Sequence, residues 1–326
     1  MQNIPNEQEQ RGDTSRYETC LLAADDDGIA TAARLLAQGH CVAFPTETVY
    51  GLGADATDGR AVAGVYAAKG RPAFNPLIAH VANMAMAESL VRMTPQARRL
   101  AQAFWPGPLT LVLPRHGEVS DLVTAGLDTL AVRVPAHPVA HALLTAIGRP
   151  VAAPSANPSG RISPTTAAHV MDGLSGRIAA VLDGGACAVG LESTILGFDD
   201  DIPILLRPGG LAVERIEALL DRPVTLHEGS DITAPGQLTS HYAPRGALRL
   251  NVVEPDADEV LLRFGDGPSE WSLSASGDPV EAAANLFALL RKADATAQRI
   301  AVMPIPTQGL GAAINDRLIR AAAPNP

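Results

Sequence analysis

The chain has 326 residues, of which 47% are hydrophobic, 18% charged and 4% aromatic. At about 150 residues per domain that length points to two domains, and the apolar content offsets chain entropy without disulfides or metal, which excludes global disorder. A formal net charge of −10 and so few aromatics argue against a polyanion-binding surface and a base-stacking RNA platform.

Residues 1–24 read as a polar tail without the apolar run of a secretory signal. Residues 25–38 have helical periodicity and residues 41–44 form a short buried strand; residues 45–56 then read as a loop. A helix fits 58–69, stopped by Gly70, followed by a strand at 77–81 and helices opening at Asn83 and at Thr94-Pro95. Strands at 109–113, 130–134, 151–153, 179–182, 193–198 and 204–206 alternate with helices at 138–147, 164–171 and 213–220. That alternation predicts an α/β domain, residues 25–222, on one sizeable twisted sheet of mixed direction.

Regular periodicity fades in residues 223–245, where Gly229, Pro235, Gly236 and Pro244 mark a connector. Residues 246–326 offer strands at 247–253, 259–264 and 299–303 and helices at 279–293 and 310–322, a small α/β domain. The cysteines at 20, 41 and 187 are too dispersed for a Cys-x-x-Cys pair and read as reduced thiols of a cytoplasmic protein. No apolar run approaches the roughly 20 residues that span a bilayer, so no membrane partner is expected.

Charge is uneven. Between residues 60 and 180 eleven Lys or Arg accompany five Asp or Glu, a local net of +6 that suits an anionic ligand. Only Lys69 and Lys292 are lysines among 25 basic residues. Lys69 therefore invites a chemical role, against the plain alternative of a solvated cation at a helix end.

Gly51-Leu-Gly53-Ala-Asp-Ala56 matches G-x-G-x-x-A, but six residues separate it from the preceding strand, which is wrong for a dinucleotide turn. No Walker A loop is present. What remains is a series of polar clusters at strand and helix ends. Thr46-Glu47-Thr48 follows one strand. Lys69, Arg71 and Asn75 offer two cations and an amide to phosphate oxygens, with Phe74 an unexpectedly apolar neighbour. His80 sits in a strand, where a core imidazole is the alternative. Arg133, in an otherwise apolar strand, needs an anionic partner or an outward path. Pro154-Ser155-Ala156-Asn157 is a small-residue loop suited to an anion, or an ordinary turn. Ser163 before Pro164 reads first as a helix cap. Glu192-Ser193-Thr194 and Arg207-Pro208-Gly209-Gly210 add hydroxyls and a further Arg, and the connector carries His241-Tyr242. The absence of Ser-His-Asp, H-E-x-x-H and paired-carboxylate patterns favours a charge-clamping transfer of a phosphoryl or nucleotidyl group over hydrolysis.

Taken in order, Pro45-Thr-Glu-Thr-Val-Tyr-Gly-Leu-Gly53, Lys69-Gly-Arg-Pro with Asn75-Pro-Leu77, Arg133-Val-Pro-Ala-His-Pro138, Pro154-Ser-Ala-Asn157, Glu192-Ser-Thr-Ile195 and Arg207-Pro-Gly-Gly210 resemble the threonylcarbamoyl-AMP synthase family. With the connector and second domain, the chain is similar to the long form of the YrdC-like superfamily. The resemblance implies a YrdC-like twisted mixed sheet with helices and a smaller Rossmann-like α/β domain; His241, Tyr242 and the nearby prolines, too specific for an indifferent spacer, lead us to expect the connector to act as a lid.

It also implies a reaction. L-threonine, bicarbonate or CO2, and ATP with Mg2+ on its phosphates give L-threonylcarbamoyladenylate and pyrophosphate, for N6-threonylcarbamoyladenosine on tRNA through a downstream transfer machinery. By position, Lys69, Arg71, Asn75, Thr129, Ser155, Ser163, Arg207 and Tyr242 would serve ATP, with Lys69 and Arg71 carrying the catalytic charge. Thr48, His80, Arg133, Ala153 and Ser193 would serve threonine; no residue is assigned to a resident metal. Thr239 and Ser240 depart from the Tyr-x-His-Tyr pattern of many relatives. Two other readings use the same residues. A carbamoyltransferase of the hydrogenase-maturation type would bring Cys-rich zinc fingers, which three scattered cysteines do not supply. A non-catalytic double-stranded RNA or tRNA binder would use the basic middle region, and an RNA gel shift separates it from an enzyme.

Overall fold

The structure of the chain, a computed structural model, describes residues 18–226, 234–236 and 240–324. Cys20–Ala23 (β1) opens the first unit, and Asp26–Ala37 (α1) starts where the Asp25 carboxylate accepts the Gly28 amide. Val42–Phe44 (β2) and Gly51–Asp55 (β3) pair antiparallel. Asp58 caps Gly59–Lys69 (α2), and Gly70 ends it in the left-handed conformation that glycine adopts without a Cβ penalty. Ile78–His80 (β4) leads to Met84–Leu90 (α3) and Pro95–Phe104 (α4), capped by the Asn83 and Thr94 side chains. Leu109–Pro114 (β5), Asp121–Thr124 (α5), Thr129–Arg133 (β6), Pro138–Ile147 (α6), Val151–Ala152 (β7), Ala167–Leu174 (α7) and Ala180–Asp183 (β8) follow. Thr194–Asp199 (β9), Ile202–Arg207 (β10), Val213–Leu220 (α8) and Thr225–Leu226 (β11) close the unit.

Its sheet has eleven strands in the order β1-β8-β2-β3-β7-β4-β6-β5-β9-β10-β11, with parallel and antiparallel neighbours. This is the twisted mixed sheet expected. Its core is built from Ala, Val, Leu and Ile, as the scarcity of aromatics requires.

The second unit contains Ala247–Leu250 (β12), Glu259–Phe264 (β13), Ser272–Ser274 (β14), Pro279–Thr296 (α9), Arg299–Val302 (β15) and Leu310–Ala322 (α10). Its four strands, in the order β12-β15-β13-β14, are all parallel. Among the described residues no helix is long and apolar enough to cross a membrane.

Three sequence expectations are corrected. Residues 51–55 are a buried strand, not part of a loop; Gly53 is there because a Cβ would come within 2.9 Å of both Phe44 and Val151. β1, read as tail, joins the sheet by parallel pairing with β8. The helix expected from Pro164 begins at Ala167, and Thr166 rather than Ser163 caps it through the His169 amide. The connector positions 227–233 and 237–239, including Thr239, lie outside the described residues.

Candidate functional site

Sheet order converts distant motifs into neighbours. β4 lies between β7 and β6, so His80 is in register with Arg133 and the Ala153 amide donates to the Ile78 carbonyl at 2.9 Å. A cavity of about 50 Å³ opens against these strand ends. Nine of the sequence-assigned residues share its wall: Thr48, Arg71, His80, Arg133, Ala153, Ser155, Ser193, Arg207 and Tyr242. Lys69, Asn75, Thr129 and Ser163 lie outside that wall.

Arg133, in the wall, is 3% exposed. Its Nε donates to the Gly107 carbonyl at 3.1 Å and its Nη1 to the Thr48 hydroxyl at 3.0 Å. The anionic partner its strand position demanded is Glu47, with Nη2 at 2.6 Å from Oε1. Ser193 faces the same cavity, its hydroxyl 2.7 Å from that of Thr110. Burial, then Arg133, pushes His80 down to about 3, so it is a neutral imidazole near pH 7. It is thus both a buried ring, edge-on to Phe44, and a wall of the cavity.

Three further cations lie in or behind the same wall. Lys69 is not the solvated cation that its helix-end position suggests: it is 3% exposed, and Nζ donates to the carbonyls of Ser155, at 2.5 Å, and Asn157. Arg71 donates to the carbonyls of Asn75 at 3.2 Å and Pro76 at 2.8 Å. Arg207 donates to the Ser193 and Pro235 carbonyls at 2.8 and 3.1 Å. Burial, then Arg71, lowers the Lys69 pKa well below the usual lysine range. Burial also brings Arg71 down to about 10 and lowers Arg207. Three buried cations thus meet mainly backbone carbonyls, and a buried charge without a counter-charge is costly. Such a cluster stores affinity for an anion.

Asn75 is buried with Oδ1 unpartnered beside this cluster, whereas Phe74 is 59% exposed and points away from any core. Thr129 opens β6 opposite Pro114. The Ser163 hydroxyl donates to Glu192 Oε1 at 2.5 Å.

The connector contributes to the wall and meets Arg207 through the Pro235 carbonyl. Pro235, Gly236, His241 and Tyr242 all face the cavity. A Cβ on Gly236 would sit 2.9 Å from Arg207 Nη1, so only glycine brings the connector backbone this close. Tyr242 takes a positive φ of 61°, and its ring stacks on Phe287 of α9, with centroids 5.5 Å apart. Burial pushes His241 down to about 3 and the Tyr242 hydroxyl up to about 12.

Sequence reasoning did not assign Glu47, Glu192, His241 or Arg317. Arg317 is fully buried in α10 and binds Glu192 Oε2 at 2.8 Å. Helical spacing carried the signal: Ile314, Leu318 and Ala321 mark the apolar face of that helix, and position 317 falls on it.

Among the described residues no group of three or more His, Cys, Asp or Glu is arranged to hold a metal. Glu192, the carboxylate in the wall, is engaged by Arg317 and Ser163.

Two family models divide the chain: one described as Telomere recombination matches residues 34–209, and Threonylcarbamoyl-AMP synthase, C-terminal domain, matches 211–323. A Bacillus subtilis protein named threonylcarbamoyl-AMP synthase is 44% identical, covering 92% of this chain and 94% of its own. One of the same name from Pyrococcus abyssi is 42% identical over 90% of this chain and 94% of its own. The crystal structure of P. abyssi Sua5 complexed with L-threonine superposes with a TM-score of 0.84 at 38% identity, covering 93% of this chain and 98% of that one.

Proposed function

The chain belongs to the threonylcarbamoyl-AMP synthase family, and on that premise we propose how its cavity makes L-threonylcarbamoyladenylate from L-threonine, bicarbonate or CO2, and ATP. The observation that carries the reading is that one cavity wall brings together Arg133, bonded to the Thr48 hydroxyl, with Arg71 and Arg207, bonded to backbone carbonyls, while Lys69 stands behind Ser155.

Arg133 receives the threonine carboxylate, with Thr48 and Ser193 orienting the substrate beside neutral His80. The threonine ammonium gives up one proton to solvent, its nitrogen bonds to the carbon of CO2 and a second proton leaves to solvent, giving a carbamate, so the threonyl species carries two negative charges near neutral pH. A carbamate oxygen then bonds to the α-phosphorus of ATP while the bond from that phosphorus to the β-bridging oxygen breaks. Pyrophosphate leaves with the electron pair. Both partners are anions, so their approach is limited by repulsion. Arg71 and Arg207 in the wall and Lys69 behind the Ser155 loop offset it, and positioning supplies much of the rate. Mg2+ bound with ATP would neutralise part of the phosphate charge.

A cavity of about 50 Å³ is far below the roughly 300 Å³ of an ordinary ligand pocket. Pro235, Gly236, His241 and Tyr242 line that space, so nucleotide entry would move them outward and their return would exclude water from a hydrolysable adenylate. The product passes to a transfer enzyme that places the threonylcarbamoyl group on tRNA. Free cysteines at 20, 41 and 187 suit a reducing compartment such as the cytoplasm. Pyrophosphate release tests the reading: it should require ATP, threonine and bicarbonate together, and release undiminished without threonine would overturn it.

A further inference from the structure

Two arginines of the second unit reach the first. Arg291 of α9 donates to the Ser163 carbonyl at 3.3 Å and to the Ile162 carbonyl. Arg317 of α10 donates through Nε to Glu192 Oε2 at 2.8 Å and through Nη1 to Asp316 Oδ2 at 2.6 Å. Its guanidinium also lies 5.3 Å from the centre of the Tyr242 ring. Val49, Ile162, Leu191 and Tyr242 share one apolar cluster with Leu286 and Phe287 of α9, so this contact is packed as well as charged.

Glu192 and Arg207 both face the cavity and carry opposite charges. Even so, the hydrogen bonds of Arg207 run to Ser193 and Pro235, none of them to Glu192. A carboxylate this buried requires a cation, and the second unit provides it. Burial favours the neutral acid at Glu192, but Arg317 first and Arg207 second outweigh it and hold its pKa below the usual range. Remove Arg317, and Arg207 is the cation left acting on Glu192.

We infer that Arg317 is a positioning residue: by neutralising Glu192 from the second unit, it leaves the charge of Arg207 for the phosphates of ATP. The inference rests on the reading of the cavity as an ATP site. It gives the second unit a defined part in the chemistry, since the counter-charge for a residue of the first unit resides on α10.

Steady-state kinetics on the full-length chain test it, comparing wild type, Arg317→Met, Glu192→Gln and the double variant. Arg317→Met should raise the KM for ATP by about tenfold, the scale of a diverted charged partner, while the KM for threonine changes by less than about twofold. In the Glu192→Gln background the same arginine exchange should change the ATP KM by less than about threefold, because a neutral amide places no demand on Arg207. A parallel rise in both KM values, a fall in kcat alone, or an equal rise in ATP KM in both backgrounds overturns the inference. If Arg317→Met does not fold, Glu192→Gln and the double variant decide, since neither buries an unpaired carboxylate at 192. A gap of about tenfold between them overturns the inference, and near-equality supports it. A wild type that makes no adenylate from the three substrates fails the reading of the site itself; an active wild type with the wrong pattern fails only this inference.

Discussion

Arg133 Nη2 lies 2.6 Å from Glu47 Oε1, yet neither atom is aligned for a hydrogen bond. The pair balances charge, so a substrate carboxylate would compete with Glu47 for the guanidinium. Replacing Arg133 by alanine would strand a largely buried Glu47, so lysine is the sharper probe. Arg133→Lys keeps the charge and loses the fork. Threonine binding, measured by calorimetry, should weaken by about tenfold to a hundredfold, the worth of one or two charge-assisted hydrogen bonds. Unchanged affinity would remove Arg133 from the threonine site.

Lys69→Met tests the cation cluster. A lysine whose ammonium bridges two carbonyls of the loop at 155–157 cannot be treated as a surface side chain, so methionine is chosen to fill its volume. Loss of the charge should lower kcat/KM for ATP by about thirtyfold or more, with circular dichroism unchanged.

ATP binding should also take up protons. Burial and Arg71 depress the Lys69 pKa in the free protein, and phosphate raises it again. Between the two values binding consumes a proton, so affinity falls as pH rises through that window. Calorimetry in buffers of different ionisation enthalpy measures the uptake, which Lys69→Met should abolish. Equal uptake in both proteins would contradict the assignment.

The connector supplies another prediction. Tyr242→Ala loses the stack on Phe287 and the contact with Arg317, burial worth about 3 kcal/mol for a large aromatic. Melting temperature should fall, and the adenylate should escape and hydrolyse sooner, as a chase with excess unlabelled ATP would reveal. A variant that retains the intermediate as long as wild type would make Tyr242 merely structural.

Stability should fall on acidification. His80 and His241 are held down to about 3 in the folded chain, from an ordinary value of 6.5. The unfolded state therefore binds protons first, and each histidine withdraws about 1.4 kcal/mol per pH unit below roughly 6.5, until its folded pKa is reached. Urea midpoints between pH 7 and pH 4 measure the decline, and His241→Gln should flatten it.

Much of the site was legible in sequence because its residues stand where strands and helices end. Asn83, Thr94 and Gly70 marked their helix boundaries correctly, since capping is local chemistry. What failed was non-local. Gly51 and Gly53 resemble a flexible loop until Ala153 is known to press on the first and Phe44 and Val151 on the second. Ser163 precedes proline like a cap, but Glu192, 29 residues onward, claims its hydroxyl. Glu192 in turn answers to Arg317, across 125 residues. No local pattern joins those three, although the helical spacing of α10 alone placed an arginine on a buried face.

The most direct measurement follows carbon from ¹³C-bicarbonate in a reaction containing ATP, Mg2+ and L-threonine. Mass spectrometry should show one labelled carbon in a product that contains both AMP and threonine, formed with stoichiometric pyrophosphate and absent when any one substrate is omitted. AMP and pyrophosphate appearing without a labelled threonyl adduct, or at the same rate without threonine, would contradict the account.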